Sequence, residues 1–174
     1  MLTRNKLIVD VGELVRAPGS VDRLRFSEHV EGLSTGLTRV DTDDVVHFDL
    51  TVQSIEDGII VRGPVHGRFH ASCKRCLVEI SDTFSFEAAE VYRPPRDVWE
   101  EGYVVADEKI DLGYLVRDNV LIELPRDPVC REDCAGLCPR CGANLNEGDC
   151  ACVDDDVDVR WGPLQDLLRD TGGS

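Results

Sequence analysis

Apolar and polar residues alternate with a period of two through the middle of the chain. Val46, Phe48, Leu50 and Val52 share one parity, and His47, Asp49, Thr51 and Gln53 the other. That pattern marks a strand with one buried face. Glu56-Asp57-Gly58 is a tight-turn signal, and it predicts a hairpin into a second strand. There Ile59, Val61, Val65, Phe69, Ala71 and Cys73 take the odd face, and Arg62, His66, Arg68, His70 and Lys74 the even one. Gly63, Pro64 and Gly67 predict a bend or bulge within it. Val78, Ile80, Phe84, Phe86 and Ala88 give a third strand. The three form an antiparallel meander with one apolar face.

The flanks carry weaker signals. Asp10 reads as an N-cap with Glu13 three residues on, and Ala17-Pro18-Gly19-Ser20 ends that helix early. Residues 20–44 are polar with scattered apolar positions and predict no element. Arg93-Pro94-Pro95-Arg96 breaks the strand pattern, and 97–109 read as an exposed acidic loop. Asp111 then caps a helix carrying Leu112, Leu115, Val116, Val120, Leu121 and Leu124, stopped by Pro125. Its apolar side is expected to pack on the sheet. Arg160-Trp161-Gly162-Pro163-Leu164 opens a short last helix through Leu168. The expected class is α+β: an antiparallel meander packed with a few helices, plus a C-terminal arm stapled through its six cysteines at 130–152. The division expected is an α+β domain at 1–129 and a cysteine-rich arm at 130–174.

Charge narrows the partners. Lys and Arg total 19 against 34 Asp and Glu, a net charge of −15. Such a chain repels phosphate backbones on average, so no DNA partner is expected and a basic protein suits it better. No apolar run reaches the roughly 18–20 residues of a membrane helix. Leu7-Ile8-Val9 is too short for a signal peptide. A cytoplasmic location is therefore expected. Thiols are kept reduced there, so eight cysteines read as metal ligands before disulfides.

The cysteines fall into four pairs: Cys73 with Cys76, Cys130 with Cys134, Cys138 with Cys141, and Cys150 with Cys152. Zinc takes four tetrahedral ligands, and thiolate suits it. In Cys138-Pro139-Arg140-Cys141-Gly142 the proline fixes the turn and the glycine permits a positive φ. Loop length assigns Cys138, Cys141, Cys150 and Cys152 to one site, leaving Cys73, Cys76, Cys130 and Cys134 for the other. The expectation is two structural zinc ions. An iron–sulfur cluster, disulfides, buried free thiols and a redox switch are the weaker alternatives. A catalytic zinc keeps a position open to water, and two all-sulfur sites are closed.

From Gly58 to Val78 there is no Asp or Glu, while Arg62, Arg68, Lys74, Arg75, His66 and His70 all fall there. Arg62, Arg68, Lys74 and Arg75 are candidate RNA contacts. The plainer reading is a solvated sheet face that pairs with acids such as Asp49. His70 reads as a surface histidine rather than a ligand. Glu147, Asp149, Asp154, Asp155, Asp156 and Asp158 surround the second cysteine group. They are either a solubilising surface or a docking surface for a basic partner. Phosphate-cradling loops, metalloprotease His pairs and nucleophile elbows are absent, so no catalytic residue is expected.

These residues resemble the YceD family (domain of unknown function 177). The hairpin from Leu50 to Val61 leading to Cys73-Lys74-Arg75-Cys76-Leu77 carries the resemblance. So do the segments Ile110-Asp111-Leu112 to Leu124-Pro125, Cys130 to Asn146, and Arg160 to Leu164. The resemblance implies a part in accumulating large-subunit ribosomal RNA, hence in ribosome assembly. It also implies a gene placed beside that of a small basic ribosomal protein. Some relatives lack the last four cysteines and keep ligand-like residues matching Cys73, Cys76, Cys130 and Cys134. The eight-cysteine form resembles the Gram-positive branch. The function expected is a non-catalytic zinc-binding factor for large-subunit assembly, acting as an acidic adaptor for a basic ribosomal protein or assembly factor. Direct ribosomal-RNA binding through the basic strand face is the alternative, and an unrecognised enzyme or nuclease the third.

Overall fold

The computed structural model describes residues 4–95 and 102–152. The expected last helix and the run Asp154 to Asp158 lie outside the described residues. The chain divides into two compact units, Met1–Cys134 and Ala135–Ser174. The first is α+β, as expected.

In chain order the first unit holds β1 (Arg4–Asn5), β2 (Ile8–Asp10), α1 (Gly12–Val15) and β3 (Val21–His29). There follow β4 (Ser34–Thr35), β5 (Thr38–Arg39), β6 (Val45–Ile55) and β7 (Gly58–Ser72). Then come β8 (Glu79–Tyr92), β9 (Lys109–Asp111) and α2 (Leu112–Glu123). A small sheet runs β1-β2-β9, and a larger one β3-β6-β7-β5-β4 with β8 also paired to β7. All of these pairings are antiparallel. Because β8 lines β7 from Ile59 to Ser72, β6 and β5 must share the opposite edge of β7.

The period of two in the sequence is the period of burial. Val46, Phe48, Leu50 and Val52 in β6, with Ile59, Val61, Val65 and Ala71 in β7, are all inside. Phe84, Ala88 and Tyr92 of β8 join them. Phe26 stacks on Phe48 with ring centroids 4.4 Å apart. Each large apolar side chain so buried contributes about 1.5–3 kcal/mol. Helix α2 packs mainly on β8, burying Leu112, Leu115, Val116 and Val120. Asp111 caps it as expected, its carboxylate accepting from Gly113 N at 2.7 Å. At α1 the Asp10 carboxylate accepts from Gly12 N at 3.0 Å, one position earlier than a regular N-cap.

Three expectations change. Residues 20–44 form a nine-residue strand, β3, and a small hairpin. The expected loop at 97–109 lies partly outside the described residues, and Lys109 opens β9. No extra residue is inserted at Gly63-Pro64: Phe48↔Val65 and Thr51↔Arg62 keep one register on both sides. What the sequence reads as a bulge is a backbone requirement instead. Gly63 has φ 140°, and a Cβ there would collide with the Asp49 carbonyl.

Candidate metal centres

The end of β7 runs into a Cys-x-x-Cys turn. In it Leu77 N donates to Cys73 O at 2.9 Å, and Cys73 N to Val78 O at 2.9 Å. The segment after α2 is bound to this turn by Lys74 N donating to Pro128 O at 2.8 Å. The Arg75 guanidinium donates to Glu132 O at 2.9 Å and Cys134 O at 3.0 Å. Lys74 Nζ pairs with Asp127 at 3.1 Å. These bonds bring four thiols together. The Sγ atoms of Cys73 and Cys134 are 3.9 Å apart, and those of Cys76 and Cys130 3.7 Å. All four lie within 4.8 Å of one another.

The second unit repeats the construction. Gly142 N donates to Cys138 O at 2.9 Å, and Cys138 N to Ala143 O at 2.8 Å. Leu145 N donates to Gly136 O at 2.9 Å, and the Asn146 side chain accepts from Ala135 N at 2.8 Å. Cys138, Cys141, Cys150 and Cys152 form a second group with sulfurs inside 4.8 Å. The two groups are the ones expected from loop length.

The donor set fits a tetrahedral thiophilic metal. Four sulfurs about 2.3 Å from one zinc sit about 3.8 Å from each other. The observed 3.7 and 3.9 Å match that spacing. A disulfide needs about 2.05 Å between sulfurs. Either group can therefore hold a metal ion through four thiolates.

Each turn also prepares its leading sulfur for ionisation. Burial pushes the Cys73 thiol up, but the backbone amides of Cys76, Cys130 and Arg75 outweigh it and bring it down to about 6. The amides of Cys141 and Arg140 bring Cys138 down to about 6. The partners move the other way. Burial, with the Cys134 and Cys76 thiols, pushes Cys130 up to about 12. The Cys141 thiol, with burial, pushes Cys152 up to about 12. Each group thus holds one readily formed thiolate and two reluctant thiols, Cys76 with Cys130 in the first and Cys150 with Cys152 in the second.

The candidate RNA contacts separate into two places. Arg62 and Arg68 are exposed on β7, with no ion pair among the described residues. Lys74 and Arg75 belong to the Cys-x-x-Cys turn and are engaged there. Asp49, named as an acid that could neutralise the face, is held by Arg25 at 2.8 Å. His70 belongs to neither cysteine group. It bridges Asp44 at 2.9 Å and Ser81 at 2.8 Å. With Asp41 these make a third cluster of ligand-type atoms, which the hydrogen-bond chain itself explains. The sequence reading passed over His47, whose ring stacks on His66 with centroids 4.9 Å apart. Its only signal was its parity in β6.

A sequence model of the family described as "Large ribosomal RNA subunit accumulation protein YceD" matches residues 61–168. This chain belongs to the YceD family. The match spans the second hairpin strand from Val61 on, α2 and all eight cysteines. An uncharacterized protein of Mycobacterium tuberculosis (strain ATCC 25618 / H37Rv) is 33% identical over 170 residues, covering 93% of this chain and 81% of the relative. One from Mycobacterium leprae (strain TN) is 31% identical over 171 residues, covering 93% and 77%. A YCED homolog 1 of Arabidopsis thaliana, named as chloroplastic and for large ribosomal RNA subunit accumulation, is 37% identical over 71 residues. It shares 40% of this chain and 22% of its own length. No solved structure matches the chain. Among the described residues, no helix of this YceD protein is long and apolar enough to cross a membrane.

Proposed function

We propose that this protein supports accumulation of large-subunit ribosomal RNA by binding rather than by catalysis, as a factor built around two structural zinc ions. The observation that carries the reading is the composition of the two cysteine groups. Four thiolates fill a tetrahedral zinc and leave no position for water or substrate. Zinc is favoured over an iron–sulfur cluster because a cluster interposes its own irons and sulfides between the thiolates. That would spread the four sulfurs beyond the 4.8 Å within which all of each group lie. The family description supports the process.

The mode of action we propose is that of an acidic adaptor for a basic ribosomal protein or assembly factor in the cytoplasm. The net charge of −15 supports it. So do Glu147 and Asp149, both exposed beside Cys150, and the run Asp154-Asp155-Asp156 that follows Cys152 in sequence. Two zinc–tetrathiolate centres each add about −2 to this charge. A surface of one sign captures a partner of the other by long-range steering, and salt screens it.

Capture of partners by the zinc-loaded chain from its own cytosol, with and without ribonuclease, tests this. A basic ribosomal protein should stay bound after RNA digestion and leave as salt rises toward 1 M. A complex indifferent to salt, or no protein partner once RNA is gone, would remove the adaptor reading. Loss of the gene should lower large-subunit RNA relative to small-subunit RNA.

A further inference from the structure

The open face of the large sheet reverses the sign of the chain. Strand parity and register place Arg23, Arg25, Arg62 and Arg68 on it. All four histidines, His29, His47, His66 and His70, lie there too. The acids sharing these strand positions are Asp49, Glu79 and Glu87. Asp49 is engaged by Arg25 at 2.8 Å and Glu79 by Arg39 at 3.0 Å. Arg62 and Arg68 carry no ion pair among the described residues.

One cross-strand row on this face reads Ser27, His47, His66, Ser85. Its two imidazoles are stacked at 4.9 Å and 23°. The Ser27 hydroxyl holds His47 Nδ1 at 2.7 Å. Immediately beyond this row the sheet forks. The pairing of β6 with β7 ends at His47↔His66, and β5 takes over the same edge at His70 and Ala71. A cavity of about 430 Å³ opens at the fork, lined by His47, His66, Arg68, Thr83, Ser85 and Asp44 among others. Asp44 is itself held by His70 at 2.9 Å.

We propose that this fork binds single-stranded RNA, with a base laid on the His47–His66 pair and backbone phosphates on Arg68 and Arg62. Flat side chains on an open sheet are stacking platforms for unpaired bases. Unpaired guanidinium groups beside them bind phosphate. The spacing suits an extended strand lying along β7. Arg68 is about 7 Å from His66 along the strand, and Arg62 about 13 Å the other way. The Thr83 and Ser85 hydroxyls border the cavity and can bond base edges or the 2′-hydroxyl. A duplex keeps its bases stacked away from such a platform. An acidic peptide would use the arginines but has no use for the stacked rings. The site is separate from the adaptor reading and does not rest on it, since none of the acids invoked there belongs to this face.

The test is fluorescence anisotropy of a labelled single-stranded RNA of about 12 nucleotides with the full zinc-loaded chain, repeated across salt. Saturable binding is expected. Arg62→Gln with Arg68→Gln should weaken it at least tenfold and lower the slope of log affinity against log salt by about 1.4. His66→Ala should weaken it several-fold, and His66→Phe, which keeps a flat ring, should restore most of that loss. Arg16→Gln, outside these strands and paired with Glu108, should change nothing. All of these side chains are exposed, and unchanged melting curves establish that each variant is folded. Absence of saturable binding by the wild type would overturn the proposal. So would equal affinity in the double arginine variant or in His66→Ala, or equal binding of duplex RNA. Displacement of the RNA by poly-glutamate at matched charge would assign the face to an acidic protein instead.

Discussion

Leu77 and Gly142 take the same left-handed backbone conformation, with φ of 59° and 73°, each one residue after the second cysteine of a Cys-x-x-Cys turn. Their amides make the same bond, 2.9 Å to the carbonyl of the first cysteine. The two turns are one device built twice, once with glycine and once with leucine. A left-handed conformation costs an L-residue roughly 1–2 kcal/mol, and Leu77 is 61% exposed, so little packing offsets it. Leu77→Gly should therefore raise stability, by about 0.5–1 kcal/mol after the extra entropy of glycine in the unfolded chain. Leu77→Val should lower it. Urea denaturation of the zinc-loaded protein reads both.

Removing metal should act unequally on the two units. In the described part of the second unit only Gly136 and Cys138 are buried. So small a core cannot hold a fold without a staple. Cys138→Ser with Cys141→Ser should lose one zinc per chain and the amide-exchange protection of 135–152, while the β6–β8 sheet melts as before. Cys73→Ser with Cys76→Ser should lose the other zinc and lower the midpoint of the first unit by more than about 10 °C, a loss of only ~3 kcal/mol.

Arg75 should prove a brace rather than a ligand for RNA. Its guanidinium spans the Glu132 and Cys134 carbonyls. Charged hydrogen bonds of this kind contribute about 1.5–3 kcal/mol each, less at an exposed position. Arg75→Ala should cost about 1–2 kcal/mol in denaturant and speed zinc release to a chromogenic chelator, with RNA affinity unchanged within twofold.

Acid should discharge the metal. Cys73 and Cys138 are lowered to about 6 from the ordinary thiol value of 9.0. A group lowered on folding contributes in full above its unfolded value and loses that contribution as pH falls through its folded value. Every ligand sulfur must give up its proton to bind, so zinc occupancy should fall as pH drops from 7.5 to 4.5. Metal content after dialysis across pH 7.5 to 4.5 checks this.

Where the sequence was legible, one local rule was enough. Strands β6 to β8 announce themselves because one face is apolar throughout, as Val46, Phe48, Leu50 and Val52 show. Asp111 and Pro125 bracket α2, and the cysteine groups arrive as short paired motifs. Strand β3 escaped because only Leu24 of its inward positions is fully buried, with Asp22 and Glu28 toward its ends. The left-handed Leu77 was illegible, since leucine does not advertise a positive φ. So was the histidine row, because His47 and His66 meet only through strand register. The basic stripe was legible as composition but not as a surface. Arg62 and Arg68 carry no ion pair among the described residues, while Lys74 and Arg75 are drawn into the Cys-x-x-Cys turn.

The central claim is that two closed tetrathiolate zinc sites make this protein a binding factor. Metal analysis with zinc K-edge X-ray absorption on the purified full-length chain tests it most directly. The account predicts two zinc ions per chain, each with four sulfur neighbours at about 2.3 Å and no lighter ligand. A nitrogen or oxygen neighbour with a missing sulfur, iron in place of zinc, or less than two ions per chain would contradict it.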